Sequence, residues 1–548
     1  MATTASNPPV RPGLTPAAQG TFLGHPPGLF LLFLVEMWER FSYYGMRALL
    51  VLYLTTPMSG VRLDKLPQGQ VAGFNPGPGW SDASASTLYG WYTGLAYLMP
   101  VIGGIIADKL IGTHRSMLVG GILIMLGHIA LAVSGMGSLH GAPIGMTVFI
   151  FGLATIVIGT GHFKPSVSVM VGQLYPEGDP RRDGAFSIFY MGINLGAFLC
   201  AFICGTLGVK VGWHWGFGSA AVGMFLGLGA YLIGKPLFLK GIGEKPKGAG
   251  EFSPVFLVGG LFLAAGFAWL FHNNLLSGIA GLMNPLVTGI LGGVVLVLAV
   301  WFVAVQRPGD RGPVASIFIF MLFNAFFWFA FEQAGSSMTL FTDRYTDTRI
   351  LGWQMPTPWF QSVNPALIFI FAPLFGLLWT ALARKGLNPS QPGKIALGLI
   401  LLGAGFVLLV MGARTIQVGT PTDPSAVVRP ASIIFILGAY LLHTLGELCL
   451  SPTGLSYVTK AAPVRFVSLL MGIWFISSFI ANLAGGLVAA QTEKIESGAV
   501  KLPWNFSAGT GSVQADFFFL FVVTSIGAGV LILVLTPLFK KLMRNPND

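Results

Sequence analysis

Residues 36–47 read EMWERFSYYGMR and place four charges, Glu36, Glu39, Arg40 and Arg47, between the apolar runs LFLLFLV and ALLVLYL. With Tyr43 and Tyr44 they fall at i, i+3, i+4, i+7, i+8 and i+11, which confines them to about 140° of one helix face. Each ionisable group costs about 2.5–3.5 kcal/mol at the centre of a bilayer, so the stripe is expected to face protein or a wet cavity. Such a stripe can fasten a helix to its neighbours by mutual neutralisation, or it can bind a charged solute and exchange protons. Two aromatic hydroxyls on the same face favour the second reading.

Similar groups recur downstream. GTGHFKPSV sets Lys164 beside Pro165, and a proline frees backbone carbonyls and bends its helix. FYMGINLG puts Tyr190 and Asn194 one turn apart, and NAFFWFAFEQAGSS spaces Asn324, Trp328, Glu332 and Ser336 along one expected helix face. SVNPAL supplies Asn364, HTLGELCLSP supplies Glu447, and GIWFISSFIAN aligns Trp474, Ser478 and Asn482. The interior bases Arg40, Arg47 and Lys164 all lie in the first half, while Glu332 and Glu447 lie in the second. That asymmetry suits a zwitterion stretched across a cavity, carboxylate towards the first half and ammonium towards the second.

Other chemistries find less support. The GxG of GTGHFKPSV follows no strand and no Walker pattern, so it is not a phosphate loop. His162 and His443 have no partner at metal-ligand spacing and are expected to pack or hydrogen-bond. Cys200, Cys204 and Cys449 sit in apolar stretches and are expected to pack rather than pair. No Ser-His-Asp grouping, intramembrane Asp pair or metal ligand set stands out, which argues against an enzyme.

The elements that must position these residues are membrane helices. Of 548 residues 54% are hydrophobic and 9% charged, against about 25% charged in soluble domains. An all-α polytopic membrane protein is expected. Glycine, at 74 residues, is about twice as frequent as usual and points to close helix packing. The rule of about 20 apolar residues per crossing gives spans near 29–56, 83–111, 116–136, 143–173, 182–207, 213–238, 253–275, 283–306, 313–343, 358–384, 392–414, 429–460, 464–492 and 513–542.

An even number of spans puts both termini on one side. Segments on that side hold about twice as many Lys and Arg as those opposite, so both termini are expected in the cytoplasm of a cell (inner) membrane. The net charge of +11 then orients the chain and calls for no nucleic-acid partner. The expected organisation is a disordered tail 1–28, a six-helix bundle 29–238, a loop and inserted transmembrane hairpin 239–312, and a second six-helix bundle 313–548. Two bundles of this kind suit a carrier with its site at the midplane between them.

EMWERFSYYG resembles the helix-1 pattern E-x-x-E-R-F-x-Y-Y-G of the proton-dependent oligopeptide transporters, within the major facilitator superfamily. FYMGINLG is similar to that family's helix-5 pattern, and GGIIADKLIG to its helix-2/3 loop, with Lys109 where Arg is usual. The span-4 Lys-Pro, FEQAGSS, GELCLSPTGLSYV and GIWF carry the likeness through the second half, and the added hairpin resembles bacterial members. The resemblance implies a major facilitator fold and proton-coupled import of di- and tripeptides by alternating access, with protons as the coupling ion, no other cofactor and no obligate protein partner.

By the same likeness Arg40, Tyr44 and Lys164 would hold the peptide carboxylate, with Arg47 nearby, and Asn194, Asn364 and Glu447 its amino group. Tyr43, Tyr97, Trp328, Glu332, Trp474 and Ser478 would line side-chain pockets. Glu36, Glu39 and Arg40 would couple protons, and Lys164 would face Glu447 as a charge pair between the bundles. Animal relatives carry a functional His seven residues before the position of Tyr97, and here that position is Gly90. Carriers of nitrate, amino acids or drugs on the same scaffold, or a peptide receptor that does not transport, stay open as alternatives.

Overall fold

The computed structural model describes residues 20–60, 73–176, 178–246, 253–275, 285–419, 427–463 and 466–543. Its fourteen long helices are α1 Pro27–Thr55, α2 Asp82–Ile106, α3 Thr113–Val133, α4 Pro143–Gln173, α5 Arg182–Cys200, α6 Trp213–Phe238, α7 Ser253–His272, α8 Pro285–Ala304, α9 Pro308–Phe331, α10 Val363–Arg384, α11 Gln391–Ala413, α12 Ile433–Ala461, α13 Val467–Ala489 and α14 Gln514–Met543. Among the described residues, twelve helices are long and apolar enough to cross a membrane by length and composition alone. The other two are α1, which carries four charges, and α8, whose described apolar run is the shorter Gly292–Ala304.

Helices α1–α6 share buried apolar clusters centred on residues such as Leu49, Phe149, Phe217 and Phe163, while α9 and α11–α14 share another around Phe320, Phe406 and Phe521. Glycine sets how closely helices approach. A Cβ at Gly120 would lie 2.5 Å from the Gly159 carbonyl oxygen, and one at Gly159 would lie 2.7 Å from that of Gly120. Thus α3 and α4 cross backbone to backbone. The cysteines are buried: Cys200, Cys204 and Cys449 lie inside the protein and form no disulfide with one another, and the Cys204 sulfur fills the space a Cβ at Gly45 would need.

Helix α7 lays Gly260, Ala264 and Ala268 inward, with Gly260 against Leu123 and Ile158 of the first bundle. His272 Nδ1 lies 2.8 Å from Thr147 Oγ1 at the end of that contact. Phe302 of α8 packs edge-on against Phe318 and Phe466 of the second bundle. The hairpin's outer surface is apolar, with Phe262, Val297 and Trp301 all exposed, as a lipid-facing attachment requires.

The start of α1 and the end of α14 lie on one face, called here the terminal face. Gly312 at the start of α9 abuts the Leu542 carbonyl near the end of α14, and Gly28 abuts Phe238 at the end of α6. The opposite, distal face carries three two-stranded ladders: Thr346–Asp347 parallel to Ala431–Ser432, and two antiparallel pairs, Arg349–Ile350 with Trp353–Gln354 and Gln417–Val418 with Val427–Arg429.

Two departures from the sequence reading have local causes. Of the expected tail 1–28, residues 1–19 lie outside the described residues, but 20–28 are docked on the first bundle. Phe22 and His25 exchange backbone hydrogen bonds of 2.9 and 3.0 Å, His25 Nδ1 lies 2.8 Å from the Tyr175 hydroxyl, and Arg181 donates to the Gly24 carbonyl at 3.1 Å. Arg181 also grips Asp179 with two side-chain hydrogen bonds, which hold that carboxyl down at about 2. The second departure is in the expected span 313–343. Its helix stops at Phe331, tightens into a turn over Glu332–Gly335 and resumes as Ser337–Tyr345, so Ser336 leaves the face shared by Asn324, Trp328 and Glu332. Gly335, Ser336 and Ser337 are weak helix formers, and the Tyr89 hydroxyl from α2 occupies the space beside Gly335.

Candidate functional site

The stripe on α1 is buried along its length: Glu36, Glu39, Arg40, Tyr43 and Arg47 are all inside the protein. Arg40 Nε lies 3.0 Å from Glu36 and 2.5 Å from Glu39, so one guanidinium bridges two carboxylates on its own helix. Tyr43 and Tyr44 meet edge to face, and Tyr43 stacks on Tyr92 of α2. Among the described residues the hydroxyls of Tyr43 and Tyr92 have no hydrogen-bond partner.

Lys164 is partly buried on α4 beside Pro165. Its ammonium sits 3.9 Å above the Tyr97 ring, a placement that offsets part of its charge through the ring quadrupole. Among the described residues no carboxylate makes an ion pair with Lys164 within 4.0 Å. Glu447 on α12 is likewise without a base. It accepts a hydrogen bond of 2.8 Å from Asn364 Nδ2 on α10, which also reaches Thr444 at 3.0 Å. The Lys164–Glu447 pair implied by the resemblance is therefore not formed in this arrangement.

The reason lies in how the bundles meet. Their contacts gather toward the distal face, where α2 packs along α13 and α5 along α10. Ser362 donates to the Phe198 carbonyl at 2.6 Å and Trp359 Nε1 to Thr206 at 2.9 Å. Helix α10 has buried residues only near its distal start, Pro365 and Ile368. The halves part toward the terminal face, and a free base and a free acid are left on opposite walls.

The distal closure is built from groups whose partners the sequence reading did not foresee. Arg47 and Glu332, expected at the substrate, pair with each other across the bundles, and Arg47 Nε donates to the Tyr89 hydroxyl at 2.5 Å. Nearer the distal surface Arg344 grips Asp82 with hydrogen bonds of 2.6 and 2.8 Å. Between these two pairs α2 and α13 touch at glycine: a Cβ at Gly90 would lie 2.9 Å from Gly486 Cα, and one at Gly486 would lie 2.5 Å from the Ser86 carbonyl oxygen. Gly90 thus has a packing role between α2 and α13. Small residues at 90 and 486 were a legible signal of close approach, but nothing in the periodicity pairs positions so far apart in the chain.

The remaining site residues fall on the two walls. Trp328 Nε1 donates to Asn324 at 3.2 Å, and Asn324 Nδ2 donates to Ser477 at 3.3 Å, joining α9 to α13. Trp474 and Ser478 are buried one turn apart, and the Asn482 amide donates to the Ser478 carbonyl. On α5 the Asn194 amide donates to the Tyr190 carbonyl of the preceding turn. His162 hydrogen-bonds Ser116, and His443 packs against Phe406. Among the described residues no group of three or more His, Cys, Asp or Glu could hold a metal ion.

Two six-helix bundles, closed on one face, parted on the other and lined by opposed charges, define a membrane transporter of the major facilitator fold. The sequence signature of the POT family matches residues 114–504. The peptide transporter YePEPT of Yersinia enterocolitica is 35% identical over 540 residues, covering 96% of each chain. A di-/tripeptide transporter of Lactococcus lactis is 32% identical over 536 residues, covering 95% of this chain and 97% of its own. The crystal structure of the peptide transporter POT in complex with sulfate superposes with a TM-score of 0.74 at 33% identity, covering 96% of this chain and 98% of that one. The chain belongs to the POT family, and it is a transporter rather than an enzyme.

Proposed function

We propose that this chain imports di- and tripeptides together with protons by alternating access. One observation carries the reading: of the buried bases Arg40 and Arg47 already have acids, so the described site offers one free base, Lys164, on the first bundle and one acid without a base, Glu447, on the second. These are the two ends a zwitterion needs. Relatives named peptide and di-/tripeptide transporters and a related transporter bound to a thioalcohol conjugated peptide support peptide as the solute.

In this reading the peptide carboxylate meets Lys164, Tyr44 and the edge of Arg40, and the amino group meets Glu447, Asn364 and Asn194. Tyr43, Tyr97, Trp328, Trp474 and Ser478 contact side chains. Protonating Glu36 or Glu39 frees part of Arg40 for the carboxylate, and protonating Glu447 prepares it to exchange substrate for proton. The terminal face is cytoplasmic in a cell membrane, as the excess of basic residues on that side favours. One proton falling through 100 mV supplies about 2.3 kcal/mol and one pH unit about 1.4 kcal/mol, enough together to concentrate a peptide several hundredfold. The distal closure then gives way to closure at the terminal face, where Lys164 and Glu447 meet in the empty carrier.

A ligand panel tests the solute class. Dialanine and trialanine raise the thermal midpoint of the detergent-solubilised protein in a concentration-dependent way, while nitrate and free alanine at equal concentration leave it unchanged. Stabilisation by nitrate or free alanine without stabilisation by either peptide assigns the carrier to another solute.

A further inference from the structure

Tyr89 is among the largest fully buried side chains of the protein, yet none of the substrate contacts above uses it. Its ring belongs to α2 of the first bundle, and its hydroxyl lies against the backbone of Gly335, in the turn that follows α9 of the second, in the space a side chain there would fill. The same hydroxyl accepts the Nε–H of Arg47 at 2.5 Å, while the Nη2 of that guanidinium meets Glu332. Arg47 also lies over the Tyr89 ring at 5.8 Å. One turn further along α2, the Thr93 hydroxyl bonds the Tyr89 carbonyl at 2.8 Å, and the next residue, Gly90, makes the backbone contact with Gly486.

We propose that Tyr89 is a positioning residue of the distal gate: it orients Arg47 so that its outer nitrogen faces Glu332, and its hydroxyl docks in the notch left by Gly335. The physical basis is pre-organisation. Arg47 is long and rotamer-rich, and fixing such a side chain costs about 0.5–1.5 kcal/mol on association. A hydroxyl held on Nε sets the plane of the guanidinium before the bundles meet, and leaves no buried Nε–H unpaired when they do. Gly335 completes the fit, since its lack of a Cβ lets the hydroxyl reach the second bundle. The tight turn Glu332–Gly335 presents carboxylate and notch together, because side chains at i and i+3 eclipse one another in so tight a turn.

The inference rests on alternating access, but its test needs no transport assay. Spin labels on cysteines introduced at exposed Ser84 and Glu496 report the distance between the distal ends of the two bundles. Tyr89→Phe shifts the population toward the longer, distal-open distance by about fivefold, the equivalent of one rotamer-rich side chain regaining its freedom. Gly335→Ala, which pushes the hydroxyl out of its notch, shifts it the same way. In a Glu332→Gln background Tyr89→Phe has a smaller further effect, because the pair it orients is gone and the Gly335 contact alone is left to lose; a role in packing alone would add its full shift to that of Glu332→Gln. An unchanged distance distribution in Tyr89→Phe, or the same shift with and without Glu332, overturns the proposal. Peptide binding by these variants reads the solute assignment separately.

Discussion

Lys164→Ala weakens binding of a dipeptide with a free C-terminus on the order of a hundredfold and leaves its C-terminal amide within about threefold of wild type, as expected for loss of one partner of a desolvated charge pair. The selectivity follows from the charge pairing. Arg40 is committed to Glu36 and Glu39, and Arg47 to Glu332 and Tyr89, so neither can give a full charge to the substrate while the carrier rests in this state. Among the described residues Lys164 has the Tyr97 face beneath it and no carboxylate in an ion pair with it, and an ammonium on a ring gains more by meeting a carboxylate than it loses by leaving the ring. The amide carries no charge for Lys164 to meet, so its affinity depends on the second-bundle contacts at Glu447 and Asn364. Isothermal titration of both ligands to both proteins makes the comparison. Equal losses for peptide and amide place the carboxylate elsewhere.

Gly90→Leu removes proton-driven uptake while leaving the protein folded and able to bind peptide. The Cβ alone would lie 2.9 Å from Gly486 Cα and 3.2 Å from the carbonyl oxygens of Asn482 and Leu483, all of them backbone, which cannot rotate aside as a side chain can. Overpacking of this kind costs about 1–3 kcal/mol or more, comparable with the few kcal/mol that separate the states of a two-state carrier. The strain exists only while α2 and α13 are in contact, so the distal-closed state bears it and the distal-open state escapes it. Uptake into proteoliposomes falls more than about tenfold, and the labelled distal ends of α2 and α13 move apart. Gly486→Leu gives the same result from the other helix, and Gly90→Ala a milder one. Normal uptake in Gly90→Leu would mean that α2 and α13 do not close the distal face as described.

Much of this was legible because helical periodicity and the cost of buried charge are both local. EMWERFSYYGMR announced a buried stripe, and the stripe is buried; the apolar runs announced the crossings, and helices occupy them. What periodicity could not show was which charges meet. Read from α1 alone, Arg47 either meets substrate or balances an acid, and that the acid is Glu332 depends on how two bundles dock. Asp82 with Arg344, and Gly90 with Gly486, are the same case at longer range. The turn at Glu332–Gly335 was hidden for another reason: four-residue spacing assumes a continuous helix, and FEQAGSS breaks that assumption just where the spacing was used. The absence of the Lys164–Glu447 pair reflects conformation. An opposed base and acid can be read from the chain, but whether they touch depends on which face of the carrier is open.

The most direct measurement is uptake of radiolabelled dialanine by the full chain in liposomes, acidic outside and alkaline inside with the membrane potential negative inside. Accumulation well above the external concentration, abolished by a protonophore and lost in Glu447→Gln, is the predicted result. Dialanine that merely equilibrates whether or not the gradient is present, or that accumulates equally in Glu447→Gln, would contradict proton-coupled peptide import through this site.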